Sequence, residues 1–348
     1  MKVLNVPGKI VSFLLLLTVF SLLSVENVEA QTRIRLATLL PTGSSQHHLL
    51  ERMGQEWRTK TGGTVTLTIY GGGTMGSEND VVRRMRAGQL QAATLSVGGL
   101  SEIDPAVGAI QKIPLLYYSL DEMHYVRSKM QADMERRLEQ KGFVVLSWAD
   151  AGWVHIFSRQ PLTRPDEFRL KKTKVFVTAD DLKEVQIVNS LGFQAVPLEW
   201  TDVLVSLRTG LVDTVPATPF LALAGQYDLV ANNLLELNYV PLVGATVITK
   251  KAWDLLTPDQ RDVMLKAAIE TGNQIQTESR SESKEAIEAM KKRGLRVQPV
   301  PPELESEWRQ FAESVYPKMR GTMIPAEVFD KALSLVAEYR AAQKGGRQ

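Results

Sequence analysis

The chain of 348 residues contains no cysteine, which excludes disulfides, thiol catalysis, thiolate metal sites and a lipid-modified cysteine. Histidine occurs four times, never with the H-x-x-x-H or H-E-x-x-H spacing of a catalytic zinc site. Neither charge dominates, since 41 basic and 39 acidic residues give a net charge of +2, and nothing indicates a nucleic-acid surface. A G-x-S-x-G nucleophile elbow and a Walker G-K-[ST] element are also missing. We therefore predict a protein that is not an enzyme.

A long apolar run lies near the N-terminus, from Ile10 to Val25. Lys2 and Lys9 provide a positive start, and "ENVEA" offers small residues before a cleavage site near Ala30. The run of 16 residues is short for a membrane span of about 20. We predict a cleavable signal peptide over residues 1–30 and a mature protein outside the cytoplasm. An uncleaved membrane anchor is the less favoured alternative.

The stretch "YGGGTMGSEND" has the G-x-G-x-x-G spacing in Gly71, Gly73 and Gly76, between a predicted strand and a predicted helix. That context is typical of a dinucleotide-binding loop. Free dinucleotides are scarce outside the cytoplasm, however, and the acidic residue that such a site requires has no convincing candidate. We interpret the glycines as a strand-to-helix turn that needs positive φ angles, and expect no cofactor.

The pattern of strands and helices occurs twice. Strands at 34–39, 65–70 and 91–97 alternate with helices, and so do strands at 174–177, 194–198 and 211–215. Each series is a β-α-β-α-β unit, which predicts a parallel sheet with right-handed crossovers. Two such units suggest two α/β domains that face each other across a cleft. Further strands are predicted at 143–148 and in "WVHIF", and helix caps at Ser77 and at Thr178 with Asp181. The last third of the chain is predicted to be helical.

Several histidines, methionines and acids are predicted to have structural rather than functional roles. His47 and His48 open a helix and are predicted to be solvated rather than metal-bound, and His155 is predicted to be a satisfied buried histidine. The methionine stripe at 123–134 is predicted to fill a core. Four candidate acids fall at turns or helix caps, namely Asp150, Asp180, Asp181 and Asp213.

Several longer stretches carry a resemblance to a known family. They include "IPLLYYSLDE", "LGFQAVPLEWTDVLVSLRTGLVD" and "ITKKAWDLLTPDQRDVMLKAA". In order and spacing, over roughly Ile34 to Glu338, the chain resembles the solute-binding proteins of TRAP (tripartite ATP-independent periplasmic) transporters.

The resemblance implies a type II periplasmic-binding-protein fold, with two α/β lobes that close around a small solute by a hinge motion. It implies a periplasmic location and docking on a TRAP membrane permease, and it permits a tetratricopeptide-repeat partner. Lobe I would comprise 31–152 plus about 242–281, and lobe II 153–241 plus about 282–342. The C-terminal helices would brace both lobes, and 343–348 would form a tail.

The chain departs from the family pattern where relatives bind carboxylates. Phe176 in "KVFVT" stands at the position of an arginine in the pattern K-x-R-V-P, and Val154 in "DAGWVH" replaces a second arginine. Thr218 is the nearest polar group where the family has an asparagine. The resemblance therefore predicts a branch that lacks the carboxylate-binding arginine.

These replacements predict a neutral or largely apolar solute, because burying a carboxylate without a cation costs several kcal/mol. Apolar walls would add roughly 25 cal/mol per Å² removed from water. The predicted ligand-binding residues are Gly98, Tyr117, Trp153, Val154, Phe176, Trp200, Thr218 and Tyr239.

Three alternatives remain open. In the first, the same fold binds an organic acid through a relocated arginine such as Arg159, Arg164 or Arg169. In the second, an exported enzyme uses the scaffold, which would require a cluster of ionisable residues in the cleft. In the third, Phe176 is an ordinary core residue.

Overall fold

A computed structural model describes residues 31–179 and 181–345. The predicted signal peptide, Asp180 and residues 346–348 lie outside the described residues. Within the described ranges, no helix combines the length and apolarity that a membrane crossing requires.

The described residues form nine strands and twelve α-helices. The strands are β1 Thr32–Thr38, β2 Val65–Tyr70, β3 Ala92–Ser96, β4 Phe143–Ser158, β5 Lys174–Thr178, β6 Gln194–Leu198, β7 Thr214–Ala217, β8 Asn233–Thr249 and β9 Arg296–Gln298. The first six helices are α1 Ser45–Lys60, α2 Glu78–Arg86, α3 Val97–Ile103, α4 Leu120–Gln140, α5 Pro165–Leu170 and α6 Leu182–Ser190. The other six are α7 Val203–Thr209, α8 Pro219–Ala224, α9 Lys250–Asp254, α10 Pro258–Lys292, α11 Pro302–Met319 and α12 Ala326–Gly345.

The strands lie in the order β2-β1-β3-β8-β4-β7-β5-β6, and β9 pairs with β8. β1 is parallel to β2 and β3, and β5 is parallel to β6 and β7. The two parallel units predicted from the sequence are therefore confirmed.

Two long antiparallel strands, β4 and β8, join these units. Their pairing shifts between Asp150 and Trp153, midway along β4. The sequence predicted two short strands here, at 143–148 and in "WVHIF". The structure makes them one strand of 16 residues that runs through both halves of the molecule.

A buried carboxylate fixes the middle of β4. Asp150 accepts hydrogen bonds from His124 Nε2 on α4 (2.7 Å) and from Arg280 Nη2 on α10 (3.1 Å). Burial alone would raise the pKa of Asp150, but the hydrogen bond from His124 and the charge of Arg280 hold it below its ordinary value. The point where the chain passes between the two halves is thus tied to two helices.

The core lies between the sheet and its helices. The predicted methionine stripe is confirmed, since Met123, Met130 and Met134 of α4 are buried in the core of the first half. In the second half, Phe157, Val215 and Leu207 belong to a separate apolar cluster.

The C-terminal helices hold the two halves together. α10 is 35 residues long and packs on α1, β4 and α8. On α11, Arg309 donates to the carbonyl of Leu115 in the first half (2.5 Å), and Trp308 Nε1 donates to the carbonyl of Thr163 in the second (2.7 Å). The predicted bracing role of the C-terminal region is confirmed.

The glycine-rich stretch is the predicted turn between β2 and α2. Gly73 and Gly76 have φ angles of +73° and +91°, which glycine adopts without steric cost. Ser77 then caps α2, and the Asp80 carboxylate accepts from the Ser77 backbone N–H in a capping box. A second predicted cap is corrected: α6 begins at Asp181 alone, because Thr178 still belongs to β5.

Candidate functional site

A cavity of about 770 Å³ lies between the two halves of the molecule. The first half contributes residues of the glycine turn, α3 and the segment around Lys112. The second half contributes β5, α6 and the start of α8, and α11 forms a further wall. The volume falls within the range of small-molecule sites, about 300–1,000 Å³.

Six of the eight predicted ligand-binding residues line this cavity, namely Gly98, Val154, Phe176, Trp200, Thr218 and Tyr239. Phe176 packs edge-on against Trp200, with ring centroids 4.7 Å apart, and is 4% exposed. It also belongs to the core of the second half. Both interpretations of Phe176, as cavity wall and as core residue, thus have a structural basis.

Tyr117 and Trp153 do not line the cavity. Tyr117 is 1% exposed inside the core of the first half, where burial raises the pKa of its hydroxyl. Trp153 packs against the same core, while its neighbour Val154 lines the cavity. The difference follows from the strand, because successive side chains of β4 point to opposite faces of the sheet.

None of the three arginines proposed as relocated ligands lines the cavity. Arg164 makes two hydrogen bonds to Glu307, at 3.2 and 2.6 Å, and Arg159 and Arg169 are exposed. Among residues 31–179 and 181–345, no arginine lines the cavity at all. The relocated arginine therefore has no support in this structure.

The cavity does contain an ion pair that crosses between the two halves. Lys112 Nζ, in the first half, lies 2.5 Å from Asp181 Oδ2, in the second, and each side chain is 15% exposed. The Asp181 side chain is also fixed at the start of α6, because its other carboxyl oxygen accepts a hydrogen bond from the Glu184 N–H (2.9 Å). Sequence reasoning missed this pair, since 69 residues separate its members.

Glu184, on the first turn of α6, is a second missed residue. It is half-buried in the cavity lining, and its carboxyl group makes no hydrogen bond within the described ranges. Burial, and then the charge of Asp181, raise the pKa of Glu184 to about 7, against the opposing effect of Lys112. A carboxyl group with such a pKa can bind a ligand either as an acceptor or as a donor.

Glu78 differs from Glu184 because its carboxylate is already engaged. It accepts from Ser96 N (2.6 Å), Ser96 Oγ (2.5 Å) and Gly99 N (2.9 Å) at the start of α3. A side chain at Gly99 would collide with Glu78, since an added Cβ would lie 2.8 Å from the Glu78 Cβ. Glu78 therefore shapes this side of the cavity.

Four aromatic side chains form one part of the cavity lining. They are Phe168, Phe193, Trp308 and Phe311. Their ring centroids lie between 5.4 and 6.1 Å apart in a chain of edge-on and tilted contacts, the arrangement that aromatic pairs prefer. The cavity lining thus has a charged part, which includes Lys112 and Asp181, and an aromatic part, which includes Trp308 and Phe311 of α11.

None of the four histidines, all within the described residues, lines the cavity. His155 is the predicted satisfied buried residue: its Nδ1–H donates to the Leu237 carbonyl (3.0 Å), and burial lowers its pKa to about 4. His47 is buried, contrary to the prediction, whereas His48 is exposed and bonds to Glu51 (2.8 Å). His47, His48 and Glu51 bring three ligand atoms within 4.8 Å of one another. We assign no metal to this group.

The fold and the interlobe cavity together define a two-lobed solute-binding protein. The family model DctP, described as "Bacterial extracellular solute-binding protein, family 7", matches residues 36–322. The chain belongs to this family, whose structurally characterised members include TRAP periplasmic solute-binding proteins. The prediction that the chain is not an enzyme is thereby confirmed.

Relatives and solved structures agree with this assignment. A solute-binding protein of Chromohalobacter salexigens is 27% identical over 252 residues, 71% of each chain. The TRAP periplasmic solute-binding protein of Sulfitobacter sp. NAS-14.1 superposes with a TM-score of 0.80 at 22% identity, covering 87% of this chain and 99% of that one. The protein of Ralstonia eutropha H16 also reaches 0.80, at 18% identity, covering 88% and 99%. At these identities the structural matches establish the fold alone, which is the predicted two-lobed type II fold.

Proposed function

We propose that this protein captures a small organic acid with an apolar body in the interlobe cavity and delivers it to a TRAP membrane permease from the periplasm. The observation that carries the proposal is the position of Lys112, whose side chain lines a cavity that also has an aromatic part.

The ligands of the structural neighbours favour an acid. The Sulfitobacter protein has bound β-D-galacturonate, and the Ralstonia protein has bound (S)-2-acetolactate. Both ligands carry a carboxylate. This evidence supports the organic-acid alternative better than the apolar solute that the sequence predicted, although the cation proposed here is a lysine rather than an arginine.

Lys112 is suited to hold a carboxylate without losing its present partner. An ammonium group has three N–H donors, and the bond to Asp181 uses one of them. A second carboxylate can accept another N–H in a charge-assisted hydrogen bond. Lysine lacks the planar fork of arginine, so Lys112 would bind the carboxylate through a single hydrogen bond and constrain the orientation of the ligand less.

The apolar body of the acid would lie against the aromatic part of the cavity. Burial there contributes roughly 25 cal/mol for each Å² of apolar surface removed from water. Among the residues predicted from the sequence, we keep Gly98, Val154, Phe176, Trp200, Thr218 and Tyr239 as ligand-binding residues in this proposal, because they line the cavity.

A neutral, largely apolar solute is the second candidate. It is favoured by the charge of the lining, in which six acidic residues accompany two lysines. The acids are Glu78, Asp80, Glu102, Asp181, Glu184 and Glu199, and the lysines are Lys112 and Lys183. An excess of acids disfavours an anionic ligand unless one of them is protonated.

A matched pair of ligands separates the two candidates. Octanoate and octanamide share one apolar chain and differ in charge, and galacturonate adds an acid without an apolar body. A ligand at a hundred times its Kd stabilises the protein by about 2.7 kcal/mol, which thermal melting detects. A larger rise in melting temperature with octanoate than with octanamide supports an acid as the solute. The reverse order supports a neutral solute. A rise in melting temperature with galacturonate, but with neither octanoate nor octanamide, contradicts the proposal that the solute has an apolar body.

The lobe boundaries remain a proposal. We place lobe I at 31–152 plus about 242–281 and lobe II at 153–241 plus about 282–342. The irregular pairing between Asp150 and Trp153 supports a division near 152. A tetratricopeptide-repeat partner also stays a prediction, which co-purification from the native periplasm would test.

A further inference from the structure

Three ionisable groups interact in the charged part of the cavity. Asp181 and Lys112 form the ion pair, and Glu184 interacts electrostatically with both. When Glu184 is ionised, two carboxylates accompany one ammonium group, and the set has a formal charge of −1. An incoming carboxylate would bring it to −2. When Glu184 is protonated, the same set is neutral and contains an O–H donor.

Among the described residues, the cavity lining contains one other lysine, Lys183, which is exposed and does not shift the pKa of Glu184. Tyr239, on β8, is a further neighbour of Glu184, and burial followed by the charge of Glu184 raises the pKa of the Tyr239 hydroxyl. Tyr316, on α11, interacts with Tyr239 and is also neutral at ordinary pH. Within the part of the chain that the structure describes, Lys112 is the cation that acts on Glu184.

The carboxyl group of Glu184 also lacks a hydrogen-bond partner among the described residues. It lines the cavity, is half-buried and makes no hydrogen bond among the described residues, whereas Asp181 and Glu78 are both engaged. Its pKa of about 7 means that this carboxyl group titrates near neutral pH. A half-buried carboxyl group that titrates there is a candidate for a functional role.

We propose that Glu184 determines the specificity of the cleft by taking up one proton when a carboxylate solute binds. The proton comes from the solvent and resides on a carboxyl oxygen of Glu184. The solute carboxylate then accepts one hydrogen bond from Lys112 and one from the protonated Glu184, while Asp181 keeps its bond to Lys112. This inference rests on the proposed function, since it requires that the solute be an acid.

The affinity for an acid therefore depends on pH. Below pH of about 7 Glu184 is protonated in the free protein, and the Kd for octanoate is nearly constant. Above that value each bound octanoate takes up about one proton, so that Kd rises about tenfold per pH unit. The Kd for octanamide does not follow this slope, because the amide brings no charge.

Isothermal titration calorimetry tests the proposal. The apparent enthalpy of octanoate binding is measured at about pH 8.5 in buffers of different ionisation enthalpy, which gives the number of protons taken up. We expect about one for the wild type and none for Glu184→Gln, whose amide is a permanent neutral donor. Glu184→Gln also binds octanoate more tightly than the wild type at this pH. Glu303→Gln, an exposed change on α11 outside the cavity, keeps the wild-type value.

The outcomes separate the inference from the function on which it rests. Octanoate binding to the wild type without proton uptake overturns the role of Glu184 and leaves the acid-binding function intact. No octanoate binding at any pH, to a wild type and a variant that both melt cooperatively, overturns the function and the inference together. If Glu184→Gln does not fold, Glu184→Asp is used, which retains a titrating carboxyl group and must retain proton uptake.

Discussion

Replacing Lys112 by methionine removes the positive charge from the cavity while it keeps a long side chain. In the structure, the Lys112 ammonium group lies 2.5 Å from Asp181, and the side chain is 15% exposed. The substitution leaves Asp181 and Glu184 without their cation. Asp181 keeps its role as the N-cap of α6, so we expect the fold to survive.

The expected loss of affinity follows from the bond that the ligand loses. A hydrogen bond to a charged group contributes about 1.5–3 kcal/mol, which corresponds to a rise in Kd of roughly 10- to 150-fold for octanoate. The Asp181 carboxylate, left without its cation, repels the anion and favours the upper end of this range. For octanamide, the lost hydrogen bond has one charged partner rather than two, so we expect a smaller rise in Kd than for octanoate.

The assay compares the two ligands in two proteins. Kd values for octanoate and octanamide are measured by calorimetry at about pH 6, where Glu184 is protonated and its titration does not intervene. The ratio of the two Kd values isolates the charge contribution of Lys112, because changes in shape affect both ligands alike. Lys331→Met, an exposed change on α12, serves as the control.

Equal weakening of acid and amide would refute this reasoning, since Lys112 would then act through shape alone. Unchanged binding of octanoate would refute it more directly. Thermal melting of each variant shows that any loss of binding occurs in a folded protein.

Three further predictions concern stability, each measured by urea unfolding. Phe176→Ala lowers the free energy of unfolding by about 3 kcal/mol, because it removes a buried ring that also forms the cavity wall. Gly76→Ala costs about 1–3 kcal/mol, since its φ is +91° and the new Cβ would overlap the Asp80 carboxylate. Gly88→Ala, at φ +75° with open space around it, costs less. Burial lowers the pKa of His155 to about 4, whereas in the unfolded chain the imidazole takes up its proton at about pH 6.5. The unfolded state therefore binds more protons as the pH falls, and the free energy of unfolding, at its full value above pH 6.5, is lower by about 3 kcal/mol at pH 4. His155→Gln reduces this loss, and an identical pH slope in the variant would contradict the assignment.

Local sequence signals predicted most of the fold. The bounds of β2 and β6 and the Ser77 cap of α2 follow from short-range patterns of apolar, turn and capping residues. Helix α3 was missed, because "VGGLSEI" contains two glycines that argue against a helix. The continuity of β4 was also missed, since the irregular pairing beyond Asp150 interrupts the alternation of apolar residues.

The site was less predictable, because it depends on which residues meet across the cleft. The sequence pattern identified Phe176 and Val154, which line the cavity, from a resemblance of short motifs. Residue type alone also suggested Tyr117, which the structure buries in the core. Lys112 and Glu184 carry no local signal, since a charged residue in a turn or on the first turn of a helix is usually solvated. Their proximity is a property of the folded chain.

The most direct test of the account is a crystal structure of the protein with bound octanoate, grown below pH of about 7. The account predicts a carboxylate within about 3 Å of both Lys112 Nζ and the Glu184 carboxyl group, with the alkyl chain against Phe168 and Phe311. A carboxylate held by an arginine that has moved into the cleft, or octanoate bound only outside the cleft, would contradict it.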